Sequence, residues 1–188
     1  MLLYPSGKVS KIQEKQLTTI GKNVTALEIK GTFDDCQRLV KTAFTDKELN
    51  RKLLLSSANS INIARLIPQT FYYFYAYAQL AKILRQPNLA PVFSVPSGNF
   101  GNLTAGLIAK KMGLPIEKFI AATNANDIFP KYLKTGKFSP KPSKKTISNA
   151  MDVGNPSNFA RITELYKHNL AKIRQDIWSK SYSDKETK

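Results

Sequence analysis

Cysteine and histidine are almost missing from this chain: its 188 residues contain one of each, Cys36 and His168. One cysteine excludes an internal disulfide and any cysteine-rich zinc site. One histidine gives little support to Ser-His-Asp or Cys-His catalysis. Long apolar runs are missing as well. None reaches the ~18 residues of a membrane helix, and Pro5, Ser6 and Gly7 interrupt anything like a signal peptide. The sequence therefore reads as cytoplasmic, without a membrane partner or a metal centre. Acidic residues are scarce, 13 against 29 basic ones, for a formal net charge of +16. Such an excess is one mark of a nucleic-acid binder. Here the lysines are scattered along the chain and outnumber arginine, the residue suited to bidentate phosphate and guanine contacts. A basic nucleic-acid binder is thus the weaker reading.

What is present describes a globular protein. Apolar residues make up 42% of the chain and aromatics 10%. A chain of this length can bury roughly 70% of its unfolded surface. "MLLYP" reads as a short strand. "VSKIQEKQLTTIG" reads as a helix, with Ser10 and Gln13 at capping-box spacing. "NVTALEIKG" alternates as a strand does. "TFDDCQRLVKTAF" reads as an amphipathic helix, with Asp34 and Asp35 at its positive end and Cys36 on its apolar face as a core residue. A short helix, 46–53, follows. Residues 1–55 thus alternate strand and helix.

"SSANSIN", 56–62, is polar throughout. After it the spacing predicts a long helix from near Ile61, with Pro68 in its first turns or at a kink. Its rings Phe71, Tyr72, Tyr73, Phe74, Tyr75 and Tyr77 point all round, the pattern of a buried helix rather than of a base-stacking face. A loop, 85–91, leads to the strand "VFSV". A helix is expected from Leu103 to Met112, stopped by Gly113 and Pro115. "EKFIAAT" gives the next strand. Strand, helix and strand in so few residues form a βαβ unit and imply a parallel sheet. "NANDIFPKYLKTG" reads as a turn and a short helix, and "KFSPKPSKKTISNAMDVGNPSN" as a long loop. "FARITELYKHNLAKIRQDIW" reads as one amphipathic helix carrying His168, dissolving into a polar tail.

The stretch that carries chemistry is "SVPSGNFGNLTAG". It lies between the carboxyl end of a parallel strand and the amino end of a helix. Helix amino ends have unpaired N–H groups and partial positive charge. Glycines let a ligand approach the backbone, and Ser97, Asn99 and Asn102 add side-chain hydrogen bonds. The combination suits an anion, most simply a phosphate. It is neither a G-x-G-x-x-G nor a Walker loop.

The strings "PSGNFGNLTAGLIAKKMGLPIEKFIAATNANDIFPKYLKTG", "SSANSINIARLIPQTFYYFYA", "TISNAMDVGNPSNFARI", "LLYPSGKVSKIQEKQLTTIGKNV" and "GTFDDCQRLVKTAF" together resemble the threonine synthase family, in the family's order, from Leu2 to about Tyr166. The resemblance implies an α/β fold of the pyridoxal-phosphate fold-type II class: a parallel sheet flanked by helices, incomplete at both ends. It implies part of a small αβ domain in 1–55 and part of a larger domain, binding the phosphate of pyridoxal phosphate, in 56–188. The implied activity is a lyase reaction of threonine biosynthesis, O-phosphohomoserine and water to threonine and phosphate. The cofactor-phosphate cradle falls on Gly98, Asn99, Phe100, Gly101 and Asn102, mainly through backbone N–H groups. Ser57, Asn59, Ser60, Asn62 and Arg65 are the expected holders of substrate phosphate or carboxylate. Asn124, Asn126 and Asp127 follow the next strand, and Asn149 and Asp152 lie in the long loop, as further candidates. The family's cofactor-bonding lysine falls upstream of Met1, so no catalytic lysine is assigned. On this reading the chain is a fragment with a phosphate cradle, inactive alone, and in need of a complementing chain. A non-catalytic remnant that binds pyridoxal phosphate or docks on a protein is the alternative.

Overall fold

The computed structural model describes residues 1–59, 62–86 and 88–188. They form two compact units, Met1–Ser56 and Ser57–Lys188. Among the described residues no helix is long and apolar enough to cross a membrane.

In the first unit strand β1 (Leu2–Pro5) pairs in parallel with β2 (Ala26–Ile29), Leu2 opposite Ala26 and Pro5 opposite Ile29. Helix α1 (Lys11–Thr18) crosses between them, its first turn capped by Ser10 Oγ, which accepts from Gln13 N at 3.2 Å. Helix α2 (Phe33–Thr45) opens with a capping box in which Thr32 and Asp35 bond reciprocally. Arg38 donates to Asp35 at 2.7 Å, and that bond, with those from Thr32, holds the Asp35 carboxyl down at about 2. Helix α3 (Lys47–Lys52) follows, with Asp46 as its cap. Cys36 is buried on α2, in the place the sequence pattern gives it.

The second unit starts with one turn of 3-10 helix, Ile63–Arg65, and helix α4 (Leu66–Leu84). Strand β3 (Val92–Pro96), helix α5 (Gly101–Lys111) and strand β4 (Lys118–Thr123) form the expected βαβ unit. Pro68 sits in the first turn of α4, where its missing N–H costs nothing. Gly113, at φ 103°, turns the chain out of α5 in a conformation that a side chain resists. Helix α6 (Ile128–Thr135), a second 3-10 turn (Asn149–Met151), helices α7 (Phe159–Leu165) and α8 (Leu170–Asp176), strand β5 (Ile177–Ser181) and helix α9 (Asp184–Thr187) complete the order. The sheet runs β3-β4-β5, all parallel. Its core gathers Leu103 and Leu107 of α5, Phe119 and Ala121 of β4, Phe129 of α6, Ile162 of α7 and Ile173 of α8. Gly106 lets α5 sit close on the sheet and α4: a Cβ there would lie 2.6 Å from the Phe119 ring and 2.7 Å from Tyr73.

Two expectations are corrected. The rings of α4 are not buried all round. Tyr73 is buried and Phe74 and Tyr77 pack on the core, but Phe71, Tyr72 and Tyr75 are 62%, 70% and 69% exposed. The face that meets α5 accounts for the buried ring, because residues three and four apart share one side of a helix. The final amphipathic stretch is not one helix. Lys167 and His168 take φ values of 50° and 57°, which end α7, and α8 starts afresh under the Asn169 cap. His168 therefore stands at a break rather than late in a helix. After α8 the chain enters the sheet, where Ile177 pairs with Phe119 and Ser181 with Thr123.

Candidate functional site

The loop after β3 leaves the sheet at its carboxyl edge. The Ser97 N–H still bonds to the Ala122 carbonyl at 2.9 Å, so the departure point is fixed. Asn102 then closes the loop on itself. Its Nδ2 donates to the Pro96 carbonyl at 2.9 Å, and its Oδ1 accepts from Ser97 Oγ at 2.5 Å and from Leu103 N at 2.9 Å. From α4 the Tyr73 hydroxyl donates to the Asn102 carbonyl at 2.7 Å. Burial pushes the Tyr73 phenol well up from its ordinary value, so it stays protonated and donating. The Asn102 side chain is thus committed to the loop; what it leaves for a ligand is its backbone.

Phe100 is the strained member. It sits at φ 59°, ψ 18° in the left-handed region, and its ring is buried, with its centroid 4.6 Å from that of Phe129. An aromatic residue rarely adopts this conformation unless its surroundings impose it. Gly101, the next residue, is helical. A left-handed residue followed by a right-handed one turns successive N–H groups toward one concavity, a backbone nest for an anion. Phe100 is also the N-cap of α5 and supplies no side-chain hydrogen bond to its first turn. The nest and the positive end of an eleven-residue helix therefore coincide. This backbone fits the phosphate of a cofactor: the donors are main-chain, and the one bulky side chain, Phe100, points into the core.

The long loop, 137–158, packs onto this one. At Gly98 a Cβ would come within 2.7 Å of the Met151 Cα and carbonyl oxygen, so only glycine allows the two backbones so close. Asn99 Oδ1 accepts from Ser157 N at 2.6 Å and from Ser157 Oγ at 3.0 Å. Asn158 Nδ2 donates to the Asn99 carbonyl at 3.0 Å. A second network anchors the long loop to the end of β4. Asn124 Nδ2 donates to Asp152 Oδ1 at 2.7 Å and to Thr146 Oγ1 at 2.9 Å, and Thr146 Oγ1 donates to Asp152 Oδ1 at 2.7 Å. Asn126 joins Asn124 to the Lys144 main chain, with Nδ2 donating to Asn124 Oδ1 at 2.9 Å and Lys144 N donating to its Oδ1 at 2.7 Å. Asn124, Asn126 and Asp152 are thereby spent on one another, as structural ties. Asp127 pairs with Lys131 at 2.6 Å, and Asn149 opens the 3-10 turn. Thr123 Oγ1, at the end of β4, is buried with no hydrogen-bond partner among the described residues.

The segment before α4 is built differently. Ser57 Oγ accepts from Asn59 N at 3.1 Å, and Asn62 Nδ2 donates to the Ser57 carbonyl at 2.8 Å. Asn62 Oδ1 caps the 3-10 turn through Ala64 N at 3.0 Å, and Arg65 Nη1 donates to the Ala58 carbonyl at 2.8 Å. These bonds are local. Asn59 and Arg65 are exposed, and Ser57 and Asn62 half-buried. Ser60 lies outside the described residues. Tyr73, Ser157 and Asn158 have no site role in the sequence reading, although "GNPSN" stands in one of the matched strings. A tyrosine on an aromatic helix and an asparagine before a new helix look like packing and capping until their distant partners are known.

The parallel α/β sheet flanked by helices has the fold of a class, the fold-type II enzymes. A solved maize serine racemase, 13% identical with a TM-score of 0.58 over 97% of the chain and 49% of its own, shows that fold alone. The sequence goes further: this chain is a homologue of threonine synthase. It is 54% identical over 187 residues to the threonine synthase of Haemophilus influenzae, covering 100% of the chain and 43% of that relative. The solved threonine synthase of Escherichia coli matches with a TM-score of 0.88 at 49% identity, over 97% of this chain and 42% of its own. A pyridoxal-phosphate-bound threonine synthase from Brucella melitensis matches with a TM-score of 0.81 at 40% identity, over 98% and 44%. The chain thus spans less than half the length of the relatives it matches. No family model matches it.

Proposed function

We propose that this chain carries the cofactor-phosphate cradle of a threonine synthase, an enzyme that uses pyridoxal phosphate to turn O-phosphohomoserine and water into threonine and phosphate. The observation that carries the reading is the nest at Phe100 and Gly101 on the amino end of α5. Backbone N–H groups of Gly98, Asn99, Phe100, Gly101 and Asn102 hold the phosphate, where main-chain dipoles and the helix end supply charge complementarity without a basic side chain. The bound cofactor supplies the electron sink for chemistry at the substrate's carbons. Ser57, Asn59, Ser60, Asn62 and Arg65 receive the substrate, Arg65 as the forked donor for its phosphate or carboxylate. Residues 56–188 act as the larger, phosphate-binding domain and 1–55 as part of the small one, in a cytoplasmic protein. No lysine of this chain is assigned to the covalent bond with the cofactor.

Calorimetric titration tests the cradle. Pyridoxal phosphate is expected to bind at least about tenfold more tightly than pyridoxal, because the charge-assisted phosphate bonds are worth more than one neutral hydrogen bond. Equal affinities, or no binding of either, end the reading.

A further inference from the structure

We infer that Ser157 and Asn158 are positioning residues that set the direction of the Phe100 N–H before any ligand arrives. The inference rests on the loop being a phosphate cradle and assigns that cradle its support. The 99–100 peptide is trans, since the described chain has no cis bonds. In a trans peptide the carbonyl of one residue and the N–H of the next point opposite ways. Asn158 Nδ2 holds the Asn99 carbonyl at 3.0 Å, so the Phe100 N–H is aimed away from Asn158.

Asn158 is itself immobilised. It is fully buried, and its Oδ1 accepts from Arg161 Nη1 at 3.0 Å, which settles which end of the amide faces Asn99. Ser157 grips the other oxygen of the same residue, Asn99 Oδ1, with both its N–H and its hydroxyl, at 2.6 and 3.0 Å. Asn99 is therefore held at its main chain and at its side chain from one short segment. Next to it, Gly98 is pressed against the Met151 backbone.

The three bonds from Ser157 and Asn158 to this loop end on oxygen atoms of Asn99. None consumes an N–H of the nest, so the clamp fixes the loop without competing with an anion. It also explains how Phe100 stays at φ 59°. A left-handed conformation is unfavourable for a residue with a side chain, and the three hydrogen bonds from Ser157 and Asn158 offset that. The nest is preorganised, and the ligand does not have to order it.

The test uses Asn158→Ala and Ser157→Ala in the full chain, with two readouts. The first is the pyridoxal phosphate dissociation constant, expected to rise about tenfold for Asn158→Ala and about threefold for Ser157→Ala. The second is amide hydrogen exchange in the ligand-free protein, expected to accelerate at 98–102 and to stay unchanged in β4 and in the body of α5. Should Asn158→Ala fail to fold, Ser157→Ala decides, because it keeps the 157 N–H bond and removes only a hydroxyl. Affinities within twofold of the parent in the folded variants overturn the inference, and so does faster exchange spread evenly over the unit. Failure of the parent chain to prefer pyridoxal phosphate over pyridoxal strikes the cradle reading instead.

Discussion

Two stretches of this chain look alike in sequence and differ in structure. "SSANSIN" before α4 and "PSGNFGN" after β3 are both made of serine, asparagine and small residues. The second is held from several sides: Tyr73 reaches it from α4, Ser157 and Asn158 from the long loop, and Ala122 from β4. The side-chain bonds that Ser57, Asn62 and Arg65 make in the first close within seven residues of their origin. Polar composition alone therefore does not distinguish a rigid cradle from a self-bonded segment. Long-range partners do, and they fit the roles proposed here. A phosphate that stays bound calls for a preformed nest; a substrate that comes and goes is met by side chains near the surface.

Breaking the held loop is expected to cost the most at Gly98. Ala at this position places a Cβ 2.7 Å from main-chain atoms of Met151, and a backbone cannot swing aside as a side-chain tip does. Gly98→Ala is expected to lose at least about 2 kcal/mol of stability, read by denaturant unfolding. A loss under half of that would mean that the long loop lifts off without penalty, and the contrast between the two stretches would shrink. Asn102→Ala comes next. It removes three bonds and leaves the buried Ser97 hydroxyl without its acceptor. The expected loss is about 2 kcal/mol. Tyr73→Phe removes one hydroxyl and keeps the ring, for about 1 kcal/mol. It sharpens the comparison by testing how much of the loop's rigidity comes from α4.

Much of this was legible beforehand because it is local. A strand ending in Pro-Ser-Gly before a helical pattern announces a loop at a helix start, and Gly113 with Pro115 announces the helix end. The nest was legible only in part: small and amide residues advertise an anion site, but nothing in the string says that Phe100 is its left-handed member. In the fold the ring's burial against Phe129 and the bonds that hold Asn99 accompany that conformation. The break at Lys167 and His168 was hidden for a similar reason. Lysine does not favour positive φ, and histidine, though enriched there among residues other than glycine, adopts it uncommonly. Beyond α8 the chain joins the sheet as β5, which pairs with β4, a partner 58 positions earlier in the chain from Phe119 to Ile177. Helical periodicity through "NLAKIRQDIW" is real as far as Asp176 and carries no sign of the pairing that follows. The rings of α4 misled because six aromatics in seven positions carry no periodicity; which ones are buried is decided by α5.

Arg65 provides the smallest expected change in stability and tests the other stretch. Its side chain is exposed and donates a hydrogen bond to the Ala58 carbonyl. Arg65→Ala is therefore expected to shift stability by no more than about 0.5 kcal/mol, against about 2 kcal/mol for Asn102→Ala. If the segment receives the substrate, the same change is expected to weaken O-phosphohomoserine binding by about tenfold or more, since hydrogen bonds to charged groups are worth about 1.5–3 kcal/mol. Pyridoxal phosphate affinity is expected to stay unchanged. The measurement is a pair of titrations on the variant, one with each ligand, beside a thermal melt. A large drop in stability would place Arg65 among the structural ties and make the two stretches alike after all. Parallel losses for both ligands would merge substrate recognition with the cradle. A loss confined to O-phosphohomoserine keeps them separate, one stretch built to hold and the other to recognise.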